Sequence, residues 1–500
     1  ALRQLLLAAL AALVLAAAIG TAESAAAPSR LDTAVADAEP FAPDFMNQSL
    51  PHVKKAGANA VRLYLSWKGF LKNPDATTKP AGMDASNPAD PNYEFAGLDL
   101  QVEKLHERGL EPILNFESAP PWAERTRGSG WDNGTNSPDP AEFGLFAKAI
   151  ARRYSGSFHG LPRVHYYQAW NEPNHYRHLN PQFEPTRPPA GVGPSETEPP
   201  GTPFLSADIY RALLNAFADS VHSVHADNLV IAGGLSTPGR PFRQSPAISP
   251  LVFMKRLLCL DSNNRQLAGC NEQAHFDVWS AHPYTSGSPE HHAADPNDVS
   301  IPDLPKMKET LDAANRLGQI VSTNPLQFWV TEISWDSNPP DPGAVPMKLL
   351  QRWVSEGLYR MWSYGVSLVT WFEIRDQDSS AGFPDTFQSG LYFACTRSIS
   401  CDKPKPTLEA FRFPFVAYKQ GGKVLIWGRT PAGKRGRVTV EQKVRGRFKK
   451  LKRLKTNGHG LFRKVLRAKG RGDLRASLGK EHSVPFSLTV PPDRPGNPFG

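Results

Sequence analysis

Cysteine is scarce in this chain, with four in 500 residues. None of the four sits in a C-x2-C pair or has a histidine beside it at ligand spacing, so a structural zinc site has no scaffold here. No H-E-x-x-H occurs, and His275, His282, His291 and His292 form no comparable spacing, which argues against a metal-dependent hydrolase. No G-x-G-x-x-G follows any early strand-like segment, which weakens a dinucleotide-binding fold. Beyond the first two dozen residues no apolar run is long enough to cross a bilayer, and a multi-span membrane protein is excluded. With 40% hydrophobic and 21% charged residues, the composition also excludes wholesale disorder.

What is present suggests two or three folding units, since a domain usually takes ~100–200 residues and a barrel can take more. The 47 prolines are about twice the usual share of ~5% and predict long ordered loops. The formal charge of +9 hides an asymmetry. Residues 421–490 hold twenty Lys and Arg against Glu441, Asp473 and Glu481, a net of +17, whereas the rest carries a net of −8. At the start, Arg3 precedes an apolar run from Leu5 to Ile19, and Ala25, Ala26 and Ala27 offer a cleavage site before Pro28. That order describes a secretory signal peptide over residues 1–27, with an uncleaved anchor as the alternative. The cysteines fit export: Cys259 with Cys270 and Cys395 with Cys401 would each staple a short loop in an oxidising compartment.

Strand-like and helix-like patterns alternate after the leader. Strands are expected at Leu31–Ala36, Asn59–Tyr64, Glu111–Phe116, His165–Trp170, Leu229–Gly233, Phe276–His282, Gln327–Thr331 and Leu368–Phe372. Helices are expected at Asp44–Lys55, Leu98–Arg108, Ala141–Tyr154, Ser206–His225 (with Ser206 as its cap), Met307–Leu317 and Met347–Tyr364. Alternation of this kind implies a parallel sheet with crossover helices, and eight repeats point to an α/β fold closed as a (β/α)8 TIM barrel over residues 28–418. The Pro/Gly-rich stretch Pro181–Pro203 would be a long loop on the active face. Residues 419–490 show short alternating segments between glycine-containing turns, which predicts a small basic all-β (Ig-like) sandwich, followed by a tail at 491–500.

Two glutamates stand at the ends of these strands. His165–Trp170 runs into Asn171, Glu172 and Pro173, and Gln327–Thr331 runs into Glu332 with Trp335 close behind. Carboxyl ends of barrel strands form the face where such enzymes do chemistry, and the fourth and seventh strands lie across its mouth. A facing pair of carboxyl groups is what glycosidic bond cleavage requires: an acid for the leaving oxygen, and a carboxylate for the anomeric carbon or for water. On these motifs the chain resembles the clan A glycoside hydrolases, particularly families 5 and 39. Trp170-Asn171-Glu172-Pro173 is similar to their acid/base motif and Thr331-Glu332 to their nucleophile strand.

The resemblance implies a retaining mechanism by double displacement on a β-linked polysaccharide or oligosaccharide, with Glu172 as acid/base and Glu332 as nucleophile. It further implies that Arg62 holds the nucleophile charged, that His282 and Tyr284 support it, that Asn171 bonds the sugar 2-hydroxyl, and that Trp371 stacks on a sugar ring. Trp67, Trp122, Trp131 and Trp335 also follow strands, and about half of these four are expected to line the cleft. Glu117 and Glu373 lie near strand ends as well and are left outside the catalytic pair. No cofactor or metal is expected, and the protein is expected to be a secreted monomer. The basic C-terminal segment is either a solvated face or a tether to an anionic cell-envelope polymer, nucleic acid being disfavoured by export. A catalytically silent carbohydrate-binding barrel and a transglycosylase are the alternative functions.

Overall fold

The computed structural model describes residues 27–125, 134–183, 205–237, 239, 247–468 and 472–489. The leader, Trp131, the tail and most of the Pro181–Pro203 loop lie outside the described residues. Eight strands form where alternation predicts them: β1 (Asp32–Ala36), β2 (Ala60–Ser66), β3 (Glu111–Glu117), β4 (Tyr166–Ala169), β5 (Leu229–Ser236), β6 (Val278–His282), β7 (Gln327–Ile333) and β8 (Leu368–Phe372). They pair in parallel and in chain order, and β8 pairs back onto β1, so the sheet closes. Every second residue then points inside. Ala34, Ala60, Ile113, Ile231, Val278, Trp329 and Leu368 make an apolar floor, with Tyr166 meeting Trp329 edge-on at 5.3 Å. One step towards the carboxyl ends, the same alternation brings in Arg62, Asn115, Gln168, Ser280, Thr331 and Thr370, all fully buried. The interior therefore turns from apolar to polar along the barrel axis.

Among the described residues seven helices surround it: α1 (Met46–Ala56), α2 (Ala96–Glu107), α3 (Pro140–Arg153), α4 (Ser206–His222), α5 (Pro250–Leu257), α6 (Leu304–Arg316) and α7 (Met347–Ser363). The Asp139 carboxylate caps α3 by accepting from the amides of Ala141 and Glu142, and Pro140 fits the first turn. Helix α4 buries Tyr210, Leu213, Leu214, Phe217 and Val221 at helical spacing. Its start differs from expectation: Ser206 is the first helical residue, and its hydroxyl bonds Gln182 Oε1 at 3.0 Å instead of capping the helix.

After α8 (Thr407–Arg412) come two antiparallel sheets. One contains β9 (Phe415–Gln420), β10 (Lys423–Arg429) and β13 (Leu461–Leu466). The other has the order β12 (Arg447–Lys455), β11 (Arg437–Val444), β14 (Leu474–Leu478), β15 (Glu481–His482). Strand β9 begins before residue 418, because Phe415, Val416 and Ala417 are buried and pair with β10. Arg429, itself fully buried, donates to the carbonyl of Leu31 and to Asn59 Oδ1, both at 2.6 Å. Those residues immediately precede β1 and β2, so the sheets dock at the amino end of the barrel. Two disulfides join Cys259 to Cys270 and Cys395 to Cys401, the local pairing expected. Among the described residues no helix is long and apolar enough to cross a membrane.

Candidate active site

Strand β4 ends at Ala169, and the chain then turns through two left-handed residues, Trp170 (φ 66°) and Glu172 (φ 40°). A left-handed conformation at a residue with a side chain costs of order 1–3 kcal/mol and persists only where the surroundings enforce it. Here they do. The buried Trp170 indole donates to the carbonyl of His178 at 2.7 Å, and the amide of Glu172 donates to the carbonyl of Gly234 at 3.2 Å. Gly234 is itself left-handed (φ 63°), and a Cβ there would lie 2.7 Å from Gln168 Nε2 and 3.2 Å from His282 Nε2. Glycine is thus required for β5 to pass so close to the site.

Glu332 is held from three sides. Tyr64 donates to Oε2 at 2.9 Å, Tyr284 to Oε1 at 2.8 Å, and Arg62 Nη1 lies 3.3 Å from Oε2. Arg62 also donates to Gln168 Oε1 (2.8 Å), Asn115 Oδ1 (3.2 Å) and Asn171 Oδ1 (2.7 Å), so one buried guanidinium ties β2, β3, β4 and the turn that holds Glu172 to the end of β7. His282 sits between the two glutamates. Its Nδ1 is 2.9 Å from Glu172 Oε1 and 3.8 Å from Glu332 Oε2, and its Nε2 is 3.1 Å from Thr331 Oγ1. Sequence resemblance makes His282 a support of the nucleophile; in the structure its shorter bond is to Glu172.

One oxygen of Glu172, one of Glu332 and a ring nitrogen of His282 all lie within 4.8 Å of one another. Such a cluster has metal-ligand spacing. However, Glu332 already receives two phenol hydrogens and faces a guanidinium, which opposes a cation at that carboxylate. Burial pushes the Glu172 pKa up, but the hydrogen bond and charge of His282, with the charges of His178 and His175, outweigh it and hold the carboxyl below its ordinary value. Burial of the two phenols, and the Glu332 charge beside them, push Tyr64 and Tyr284 well above the ordinary range, so both remain hydrogen-bond donors.

The structure brings together Glu172, Glu332, Arg62, Asn171, His282 and Tyr284. It does not bring Trp371 or Trp335 to the site. Trp371 points out of the barrel, 2% exposed, its indole 6.0 Å from those of Trp335 and 6.0 Å from the ring of Phe411. Trp335, 1% exposed, donates to Thr285 Oγ1 and the carbonyl of Gly287. The reason is the period of two along a strand: Phe372, next to Trp371, takes the inward position and meets Tyr64 edge-on at 6.3 Å. Trp67 is core, stacked on Phe146. Trp122 is half-buried in the loop after β3, with the Lys79 ammonium 5.5 Å from its ring.

Tyr64, Asn115 and Gln168 were not singled out from the sequence. The signal was available, since Tyr64 shares the inward parity of Arg62 and the other two lie at the matching height of β3 and β4. His178 had no such signal, because a turn places it. Glu117, at the end of β3, lies 2.9 Å from His178 Nδ1. Glu373 is buried beside β8, and burial, with the Asp37 and Glu332 charges, raises its pKa to about 10, so it is a neutral acid bonded to Gln377.

Solved structures share this architecture. A family 39 glycoside hydrolase from the gut symbiont Bacteroides cellulosilyticus is 17% identical, with a TM-score of 0.51 over 88% of this chain and 81% of that one. A family 39 enzyme from Xanthomonas axonopodis pv. citri is 13% identical, with a TM-score of 0.50 over 89% and 94%. The fold is that of the clan A glycoside hydrolases, as the glutamate motifs imply. No protein-family model and no curated protein matches the chain.

Proposed function

We propose that the protein is a retaining glycoside hydrolase that cleaves β-glycosidic bonds of an oligosaccharide or polysaccharide by double displacement. The observation that carries this reading is the closeness of the two carboxylates, within 4.8 Å oxygen to oxygen, at the mouth of a barrel whose polar layer grips only one of them. Retention asks for carboxyl groups about 5–5.5 Å apart, whereas inversion needs ~6.5–9.5 Å to admit a water. Glu332, held by Arg62, Tyr64 and Tyr284, attacks the anomeric carbon as Glu172 gives its proton to the departing oxygen. Glu172 then takes a proton from water, whose oxygen displaces Glu332 from the glycosyl ester. With Asn171 Oδ1 engaged by Arg62, its amide hydrogens are the group to meet the sugar 2-hydroxyl. Phe372, not Trp371, is the aromatic wall.

The proposal includes export, which the two disulfides support, and attachment of the C-terminal sheets to an anionic polymer, which their charge supports. The test of the reaction is a panel of 2-deoxy-2-fluoroglycosides followed by intact-mass and peptide mapping. A covalent adduct on Glu332, with Glu332→Gln folded and inactive, is the expected result. An adduct elsewhere, or near-normal turnover in Glu332→Gln, would overturn the assignment.

A further inference from the structure

Glu172 has a second histidine partner besides His282. His178 belongs to the short turn that follows the acid/base residue, and both ends of its backbone are fixed: its amide donates to the carbonyl of His175 at 3.0 Å and its carbonyl accepts from Trp170. Its ring spans a gap. Nδ1 lies 2.9 Å from Glu117 Oε2, at the end of β3, and Nε2 lies 3.7 Å from Glu172 Oε2. With its Nδ1 hydrogen committed to Glu117, the ring presents its other nitrogen to Glu172 on the side away from His282.

We propose that His178, oriented by Glu117, is a positioning residue that sets the pH at which Glu172 gains and loses its proton. The inference deepens the glycosidase reading and rests on it only for the catalytic consequence. The ionisable groups around Glu172 come from four elements: His282 and Tyr284 from the end of β6, Glu332 from β7, Glu117 from β3, and His175 and His178 from its own turn. The carboxylates of Glu117, Glu172 and Glu332 hold the His178 imidazole above its ordinary pKa against the opposing effect of burial. His178 is therefore a cation throughout the range in which Glu172 titrates, and its charge favours the ionised carboxylate.

The experiment is a titration of the whole protein with its glutamate carboxyl carbons labelled with carbon-13, the Glu172 resonance being assigned by its loss in Glu172→Gln. His178→Gln should raise the Glu172 midpoint by about one pH unit, the scale of an opposite charge at this separation. His178→Lys, which restores a cation, should bring the midpoint back towards wild type. An unchanged midpoint in folded His178→Gln overturns the proposal. So does an equal shift in the Gln and Lys variants, which would mean that packing and not charge is at work. Glu117→Gln should lower the titration of the His178 ring; no change there overturns the role given to Glu117. Should the Gln variant fail to fold, the wild type decides, because coupled groups show each other's titration step and the absence of that step counts against the proposal. If Glu172 shifts but the alkaline limb of kcat/KM does not follow it, the electrostatic role stands and the acid/base assignment of Glu172 is what fails.

Discussion

Glu172 can donate a proton only while it holds one, and the groups around it work against that. Its carboxyl sits below the ordinary value because the hydrogen bond and charge of His282, with the charges of His178 and His175, exceed the effect of burial. A depressed pKa means that the protonated fraction is lost early as pH rises. The proposed hydrolase should accordingly work best at acidic pH, with kcat/KM falling well before neutrality; a plateau through pH 7–8 would contradict a depressed Glu172 carboxyl. The aromatic neighbours make a second residue-scale test. Trp371→Ala removes a fully packed indole and should cost about 3–5 kcal/mol of stability in chemical denaturation. Phe372→Ala, at the mouth against Tyr64 and Phe387, should leave the midpoint closer to wild type and raise KM instead. Reversed outcomes would return the stacking role to Trp371.

Strands were the legible elements, because each is a short, mostly apolar segment set between helical patterns, and all eight lie within a few residues of their expected places. Legibility failed where period and length gave no purchase. Helix α5 has eight residues, barely two turns, so its buried Leu251, Phe253, Met254 and Leu257 make too short a run for the sequence to tell it from a strand. The boundary expected at residue 418 falls inside β9. Site residues followed the same rule: Glu172 and Glu332 stand at strand ends and were visible, whereas choosing Phe372 over Trp371 required the register of β8. Helix packing was invisible at the one point that fixes it. Gly144 of α3 lies so close to α4 that a Cβ would sit 2.9 Å from the carbonyl oxygen of Ala216. Gly144→Ala gains helix propensity, yet it must push the helices apart, and overpacking of this kind costs ~1–3 kcal/mol. Thermal unfolding should show a lower Tm; a higher one would mean that the helices can move apart without loss.

At the scale of the molecule, the C-terminal sheets and the glutamate pair occupy opposite ends of the barrel. Arg429 reaches the residues before β1 and β2, and Trp427 packs 5.4 Å from both Tyr359 and Trp362 of α7. The sheets thus pack at the amino end and along α7, where Arg352 also donates to the carbonyl of Ser487 at 3.0 Å. Their outward face is unusual. Val438, Val440 and Gln442 are buried, so Arg437, Thr439, Glu441 and Lys443 face out, and the residues opposite them on β12 are Lys455, Arg453, Lys450 and Phe448. Arg437 directly opposite Lys455 is a like-charge pair, which destabilises a sheet unless an anion screens it. Glu441, the acid on this face, is bonded by Arg475 at 2.8 Å, and Arg475 also covers Phe448. On this face Arg437, Lys443, Lys450, Arg453 and Lys455 are five exposed cations on two adjacent strands, a spacing suited to a linear polyanion. Replacing Lys450, Arg453 and Lys455 with Gln should therefore abolish salt-dependent retention on immobilised polygalacturonate while leaving hydrolysis of a small soluble glycoside unchanged. It should also raise stability slightly at low ionic strength, since the repelling pair is gone. Equal retention of the variant and the parent across a sodium chloride gradient would leave this face with no role beyond keeping the molecule solvated.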